Sequence, residues 1–103
     1  MKTGIELIAE ERKRQITEEG WTAEHDDQHE PFILTTLAVC YTIECGSPIQ
    51  HPAGKPDEFI WPIGLDRSAW KPSQNPLRNL VKAGALIAAE IDRLQRQIQK
   101  EQP

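Results

Sequence analysis

The chain has 103 residues, with 12 Lys+Arg against 16 Asp+Glu and a formal net charge of −4. That length fits one domain, 1–103, and the acidity argues against a general nucleic-acid coat, because a phosphate backbone is held by net positive charge. Only 38% of the residues are apolar, so the core must be small. No apolar run approaches the roughly 18 residues that span a bilayer. Glu6, Glu10 and Glu11 stand where a signal peptide would carry its apolar stretch, so a cytoplasmic protein is expected.

The charge is unevenly placed. Residues 1–30 carry 9 acids and 4 bases, residues 31–60 carry 3 acids and 1 base, and residues 61–103 carry 4 acids and 7 bases. An acidic first third and a basic last third can attract each other within the fold or between two copies. Cys40 and Cys45 lie five apart, which is neither a CxxC motif nor a disulfide framework, and they read as buried thiols in a reducing compartment.

The fold class expected is all-α, with three main helices at about 4–19, 28–45 and 76–99. In the first, Thr3 and Glu6 have capping-box spacing. Ile5, Ile8, Ala9, Arg12 and Ile16 form one narrow stripe. Gly20 ends this helix and Trp21 folds back on it. The second helix takes Asp27 as its cap, with Glu30 three residues on, and tolerates Pro31 in its first turn. Its run Ile33, Leu34, Leu37, Ala38, Val39, Cys40 and Tyr41 suits the buried centre of a bundle, although its β-branched content also allows a strand.

Residues 46–75 read as a long Pro-rich loop. Six of the eight prolines lie between 48 and 76, yet Phe59, Ile60, Trp61, Ile63, Leu65 and Trp70 are too apolar for a disordered linker, so the second half should pack on the helices. The third helix starts with Asn75 as cap and Pro76 as first residue. Leu77, Leu80, Gly84, Ile87, Ile91, Leu94 and Ile98 repeat at steps of 3 and 4 over three heptads and form a seam through which a homodimer is expected. Asp92 and Arg96 have the spacing of a surface pair.

Two places carry candidate chemistry. In the first, Glu24, His25, Asp26, Asp27, His29 and Glu30 put six possible metal ligands into seven residues, with His25 and His29 four apart as on one helical face. The same stretch also reads as a polar connection whose Asp27 caps the next helix. In the second, Arg67, Trp70 and Lys71 lead into the third helix, and Arg78 and Lys82 sit one turn apart on it. Bases beside a helix N-terminus favour a phosphate, and Trp61 or Trp70 could stack a base. The alternative is that the tryptophans are core and that Lys82 faces Glu10 or Glu11, which would make the patch structural. No nucleophile triad or Cys/His arrangement and no Gly-rich phosphate loop is present.

ERKRQITEEGWTAEHDDQH (11–29) and WKPSQNPLRNLVKAGALIAAEIDRLQR (70–96) are similar to the opening and closing stretches of a family of short phage and prophage proteins. More distantly the chain resembles the MazG-like, all-α nucleotide pyrophosphohydrolases. The resemblance implies a helical, usually dimeric fold in a bacterial host cell. It also implies Mg²⁺ held by an EExxE motif on the second helix, and cleavage of nucleoside triphosphates between the α and β phosphates. Here that helix reads PFILTTLAVCYTIE (31–44), without EExxE, and Phe32, Ile33 and Leu34 stand where the phage family leads one to expect Gly-Glu-Leu. Glu90 and Asp92 are two apart and do not share a face.

Three functions follow as expectations. The first is binding of a nucleotide or phosphorylated ligand through Arg67, Trp70, Lys71, Arg78 and Lys82, with little or no hydrolysis. The second is a phage-encoded, anti-CRISPR-like inhibitor of a host defence protein, with Glu18, Glu19 and Glu24 as contacts. The third is a metal-dependent nucleotide pyrophosphohydrolase, with Mg, Mn or Zn, using Glu10, Glu11, His25, Asp26, Asp27 and His29, of which His25, Asp26, Asp27 and His29 are the candidate metal ligands.

Overall fold

The computed structural model describes residues 1–29, 32–44, 60–62 and 64–102. Within them the chain forms α1 (Gly4–Glu18), α2 (Ala23–Asp27), α3 (Ile33–Glu44), a 3₁₀ turn (Arg67–Ala69) and α4 (Pro76–Glu101). The fold is all-α as expected, with no strand among the described residues. None of the described helices is long and apolar enough to cross a membrane. The readings on Glu30, Pro31, Cys45, residues 46–59 and Ile63 fall outside the described residues.

Local signals set the ends of α1 and α4. Thr3 and Glu6 close a reciprocal capping box. Past Glu19 the chain turns at Gly20, whose φ of 74° is glycine's region, and the Trp21 amide donates back to the Gln15 carbonyl at 3.0 Å. Asn75 caps α4 with its side-chain oxygen, and Pro76 opens the first turn.

The middle of the chain corrects the expected 28–45 helix. Asp27 is not its cap but the last residue of a separate short helix, α2, which Thr22 caps by accepting from the His25 amide. α3 begins only at Ile33, after Phe32 at φ 75°. A bulky residue is strained in that left-handed region.

α4 is the element against which α1, α2 and α3 all pack. The apolar core joins Leu34, Leu37, Ala38 and Tyr41 of α3 to Ala83, Leu86 and Ala89 of α4, with Trp21, Trp61, Leu65, Ala69 and Trp70 closing its edge. Of the connection's described residues, Trp61, Leu65, Ala69 and Trp70 pack against the helices. On another side of α4, Gly84 lets α1 approach: a Cβ there would lie 2.6 Å from Ile8 Cδ1 and 2.9 Å from its Cγ1.

The core is small, as the composition requires, and polar side chains complete the interior. Glu11, Gln15, Asp26, Asn79, Glu90 and Arg93 are all buried. Asn79 bridges both backbone groups of Ser73, at 2.8 Å each. The acidic front and basic back of the sequence meet inside the fold through Glu11–Arg78, Glu19–Lys71 and Asp27–Arg96. Arg96 thus forks onto Asp27 of α2, and the pair expected with Asp92 is replaced by one that ties α2 to α4.

Two substitutions test this packing. Phe32→Gly removes the left-handed strain and loses little contact, since Phe32 is 73% exposed. It should raise stability by roughly 1 kcal/mol in urea unfolding. Gly84→Val drives into Ile8 and should lower stability by about 1–3 kcal/mol, several degrees in Tm by circular dichroism.

Candidate functional site

A charged cluster forms where α1 meets the start of α4. At its centre is the Glu11 carboxylate, whose side chain has no exposed surface. Arg14 binds it with two prongs, Nε to Oε1 at 2.8 Å and Nη2 to Oε2 at 2.9 Å. Gln15 Nε2 donates to Oε2 at 3.2 Å, and Arg78 Nη2 donates to Oε1. Helical spacing explains the arrangement: residues 11, 14, 15 and 18 lie on one face of α1, and that face turns toward α4. Burial pushes the Glu11 carboxyl up, but its bonds and charges from Arg14, Arg78 and Gln15 outweigh burial and hold it below the ordinary value. The same contacts, with Glu11 foremost, raise Arg14.

Three more groups extend the cluster. Arg14 Nη1 also reaches Glu19 at 3.2 Å and Glu18 at 3.4 Å. Lys71 Nζ lies 2.7 Å from Glu19 Oε2, and that bond is the main reason the Glu19 carboxyl is lowered. Lys82 Nζ donates to the Lys71 carbonyl at 2.6 Å and lies 5.6 Å from the centre of the Tyr41 ring. Burial lowers the Lys82 ammonium. Among the described residues no carboxylate lies within ion-pair distance of Lys82. Tyr41 fixes the backbone beneath: its hydroxyl accepts from the Lys71 amide at 2.9 Å and donates to the Ala69 carbonyl at 3.2 Å.

These side chains surround a cavity of about 20 Å³ lined by Glu11, Arg14, Gln15, Glu19, Trp21, Tyr41, Lys71 and Lys82 among others, room for one water. Gln15 Oε1 is buried without a hydrogen-bond partner among the described residues. A cleft of about 250 Å³ adjoins it, sharing Glu19, Trp21, Ala69 and Lys71 and adding His25, Leu65, Asp66 and Ser68. Along it His25 stacks on Trp21 at 5.8 Å.

Of the ligand-binding residues read from the sequence, the structure brings together Lys71, Arg78 and Lys82. Arg67 and Trp70 lie elsewhere. The Arg67 guanidinium covers the Trp61 ring at 4.9 Å, and Trp70 packs on Tyr41 at 4.7 Å as part of the core edge. Glu11, Arg14, Gln15 and Tyr41 were not read as ligand-binding, although the 11, 14, 15, 18 spacing on α1 was available as a signal.

The metal-like stretch is spread out. Asp26 is fully buried, bound to Arg12 at 2.9 Å through one oxygen and to His25 Nδ1 at 3.1 Å through the other. Asp27 is bound to Arg96, chiefly through the hydrogen bonds that lower its carboxyl. α2 ends at Asp27, so His25 and His29 do not share one helix, though their rings meet edge to face at 4.6 Å. Among the described residues no group of three or more His, Cys, Asp or Glu is placed to hold a metal ion. Of the acidic contact residues, Glu18 and Glu24 are exposed, whereas Glu19 is occupied by Lys71 and Arg14. Comparison with protein-family models, with curated proteins and with solved structures gave no match to this chain.

The titrating groups set a two-stage acid response. Burial keeps His29 below the usual histidine value of 6.5, so its contribution to stability is full above that pH and is lost as pH falls. Glu11 and Glu19 are held below 4.5, so theirs is full above 4.5 and is lost below it. Urea midpoints should begin to fall near pH 6.5 and fall more steeply below 4.5. His29→Gln removes the first stage. Glu11→Gln weakens the second and costs about 1–3 kcal/mol at pH 7, because Arg14 and Arg78 lose their shared carboxylate.

Proposed function

We propose that the chain binds a phosphorylated small molecule of mononucleotide size at the Arg14–Lys71–Arg78–Lys82 cluster. The observation that carries this reading is the charge balance around Lys82. Four cations, Arg14, Lys71, Arg78 and Lys82, face three carboxylates, Glu11, Glu18 and Glu19, and Lys82 is the cation without a carboxylate within ion-pair distance among the described residues. A half-buried excess of positive charge above an aromatic floor is a setting that an anion completes. The adjoining cleft is just under the volume range of small-molecule sites, about 300–1,000 Å³. Its Trp21–His25 stack offers a face for a base.

Binding rather than turnover is the activity proposed. Buried Glu11 and half-buried Glu19, the nearest acids, are each taken up by arginine or lysine rather than turned toward one another. The resemblance to nucleotide pyrophosphohydrolases supports the ligand class, and the sequence 31–44 lacks that family's acidic motif.

Calorimetric titration with AMP, GMP, CMP and UMP, and with dATP, tests the proposal. Saturable binding in the micromolar to millimolar range is expected, unchanged by EDTA and weakened by added salt. Lys82→Ala should weaken it about 10–100-fold, the loss of one charge-assisted contact. The absence of saturable heat with every nucleotide, or a Lys82→Ala chain that binds as well as the parent, overturns it.

A further inference from the structure

We infer that Lys82 is a site of imine formation that captures small phosphorylated aldehydes in the ionic cluster between α1 and α4. Arg14, Lys71 and Arg78 are each bound to Glu11 or Glu19. Lys82 is held differently. Its Nζ donates to the Lys71 carbonyl at 2.6 Å. A carboxylate partner would hold the group as an ammonium. A carbonyl needs a single N–H, which ammonium and neutral amine both supply, so the amine keeps its lone pair free.

The surroundings favour the reactive form. Lys82 lines its small cavity together with Trp21, Tyr41, Ala69 and Leu86. Burial lowers the ammonium, and the charges of Arg78 and Arg14 add to it against the opposing pull of Glu11 and Glu19. A lysine desolvated beside other cations is the setting in which an amine becomes a nucleophile near neutral pH. Each unit of lowering multiplies the neutral fraction about 10-fold. The other described lysines lack this setting: Lys2, Lys13, Lys71 and Lys100 are all exposed, Lys2 is paired with Glu10 and Lys71 with Glu19.

The inference rests on the anion-binding half of the function proposed above and adds a carbonyl group to the ligand. The ammonium form of Lys82 draws a phosphate toward the cluster, and the amine form reacts. Nζ attacks the aldehyde carbon, a carbon–nitrogen double bond replaces the carbon–oxygen one, and the oxygen leaves as water with both amine hydrogens. A solvent proton on the imine nitrogen then restores the positive charge beside the phosphate.

Pyridoxal 5′-phosphate tests this on the full chain at pH 7, with 5-deoxypyridoxal as the aldehyde that lacks the phosphate. Borohydride fixes the imines after a brief exposure, and peptide mass spectrometry reads the label at each of the six lysines. Lys82 should take label about 10-fold faster than Lys13 or Lys100. That preference should drop severalfold with 5-deoxypyridoxal. Lys82→Arg keeps the charge, so it should keep nucleotide binding in calorimetry while the imine absorption falls to that of the exposed lysines. Equal labelling of Lys82 and Lys13, or a preference unchanged without the phosphate, overturns the inference. If nucleotides bind and Lys82 is not preferred, this inference fails alone. If no nucleotide binds and the phosphorylated aldehyde still prefers Lys82, the nucleotide reading falls and this one stands.

Discussion

A carboxylate shut away from water must be answered by cations, and that requirement at Glu11 organises the upper half of this fold. An isolated ion of this kind is too costly to bury, so the fold holds only where Arg14 and Arg78 both reach it. Arg14 comes from the same helix and Arg78 from the first turns of α4, so satisfying one acid fixes the angle and register between α1 and α4. The remaining prongs of Arg14 then meet Glu19, Glu19 meets Lys71, and the Lys71 carbonyl receives Lys82. Burying one acid thus sets the positions of all four bases that line the candidate site.

Much of this was legible in the sequence. Capping residues and periodicity gave α1 and α4 nearly to the residue, because Thr3, Gly20, Asn75 and Pro76 act through backbone groups within a few positions of themselves. The opposed charges of the two ends of the chain also found their expression inside the fold. What escaped was non-local or conflicted. Asp27 has the spacing of a cap, yet Thr22 earlier in the chain starts a short helix first, and Arg96, 69 residues away, takes the Asp27 carboxylate. The site was half legible for a related reason. Bases on α4 announced themselves, whereas Glu11 was read as a possible partner of Lys82 or a metal ligand, and Arg14 and Gln15 carried no reading until α4 was laid across them.

α4 separates two kinds of surface. One side receives α3 and, through its first turns, borders the ionic cluster. The other presents aliphatic side chains in register. Small residues make this possible. Ala83, Ala85 and Ala89 are buried with hardly any exposed surface, so helices on either flank come close and the large side chains are left for the outer face. Gly84 carries the same economy furthest by accepting Ile8 in place of a side chain of its own.

The Tyr41 hydroxyl uses both of its bonds on the backbone at Ala69 and Lys71. One oxygen atom on α3 therefore clasps the far end of the connection that leaves α3 only a few residues later. Because the clasp lies at the end of that connection, the placement of Lys71 is dictated by α3 itself and not by the route the intervening chain takes. A change that moves the Tyr41 ring therefore moves the Lys71 backbone with it, and through Lys71 the contacts to Glu19 and Lys82.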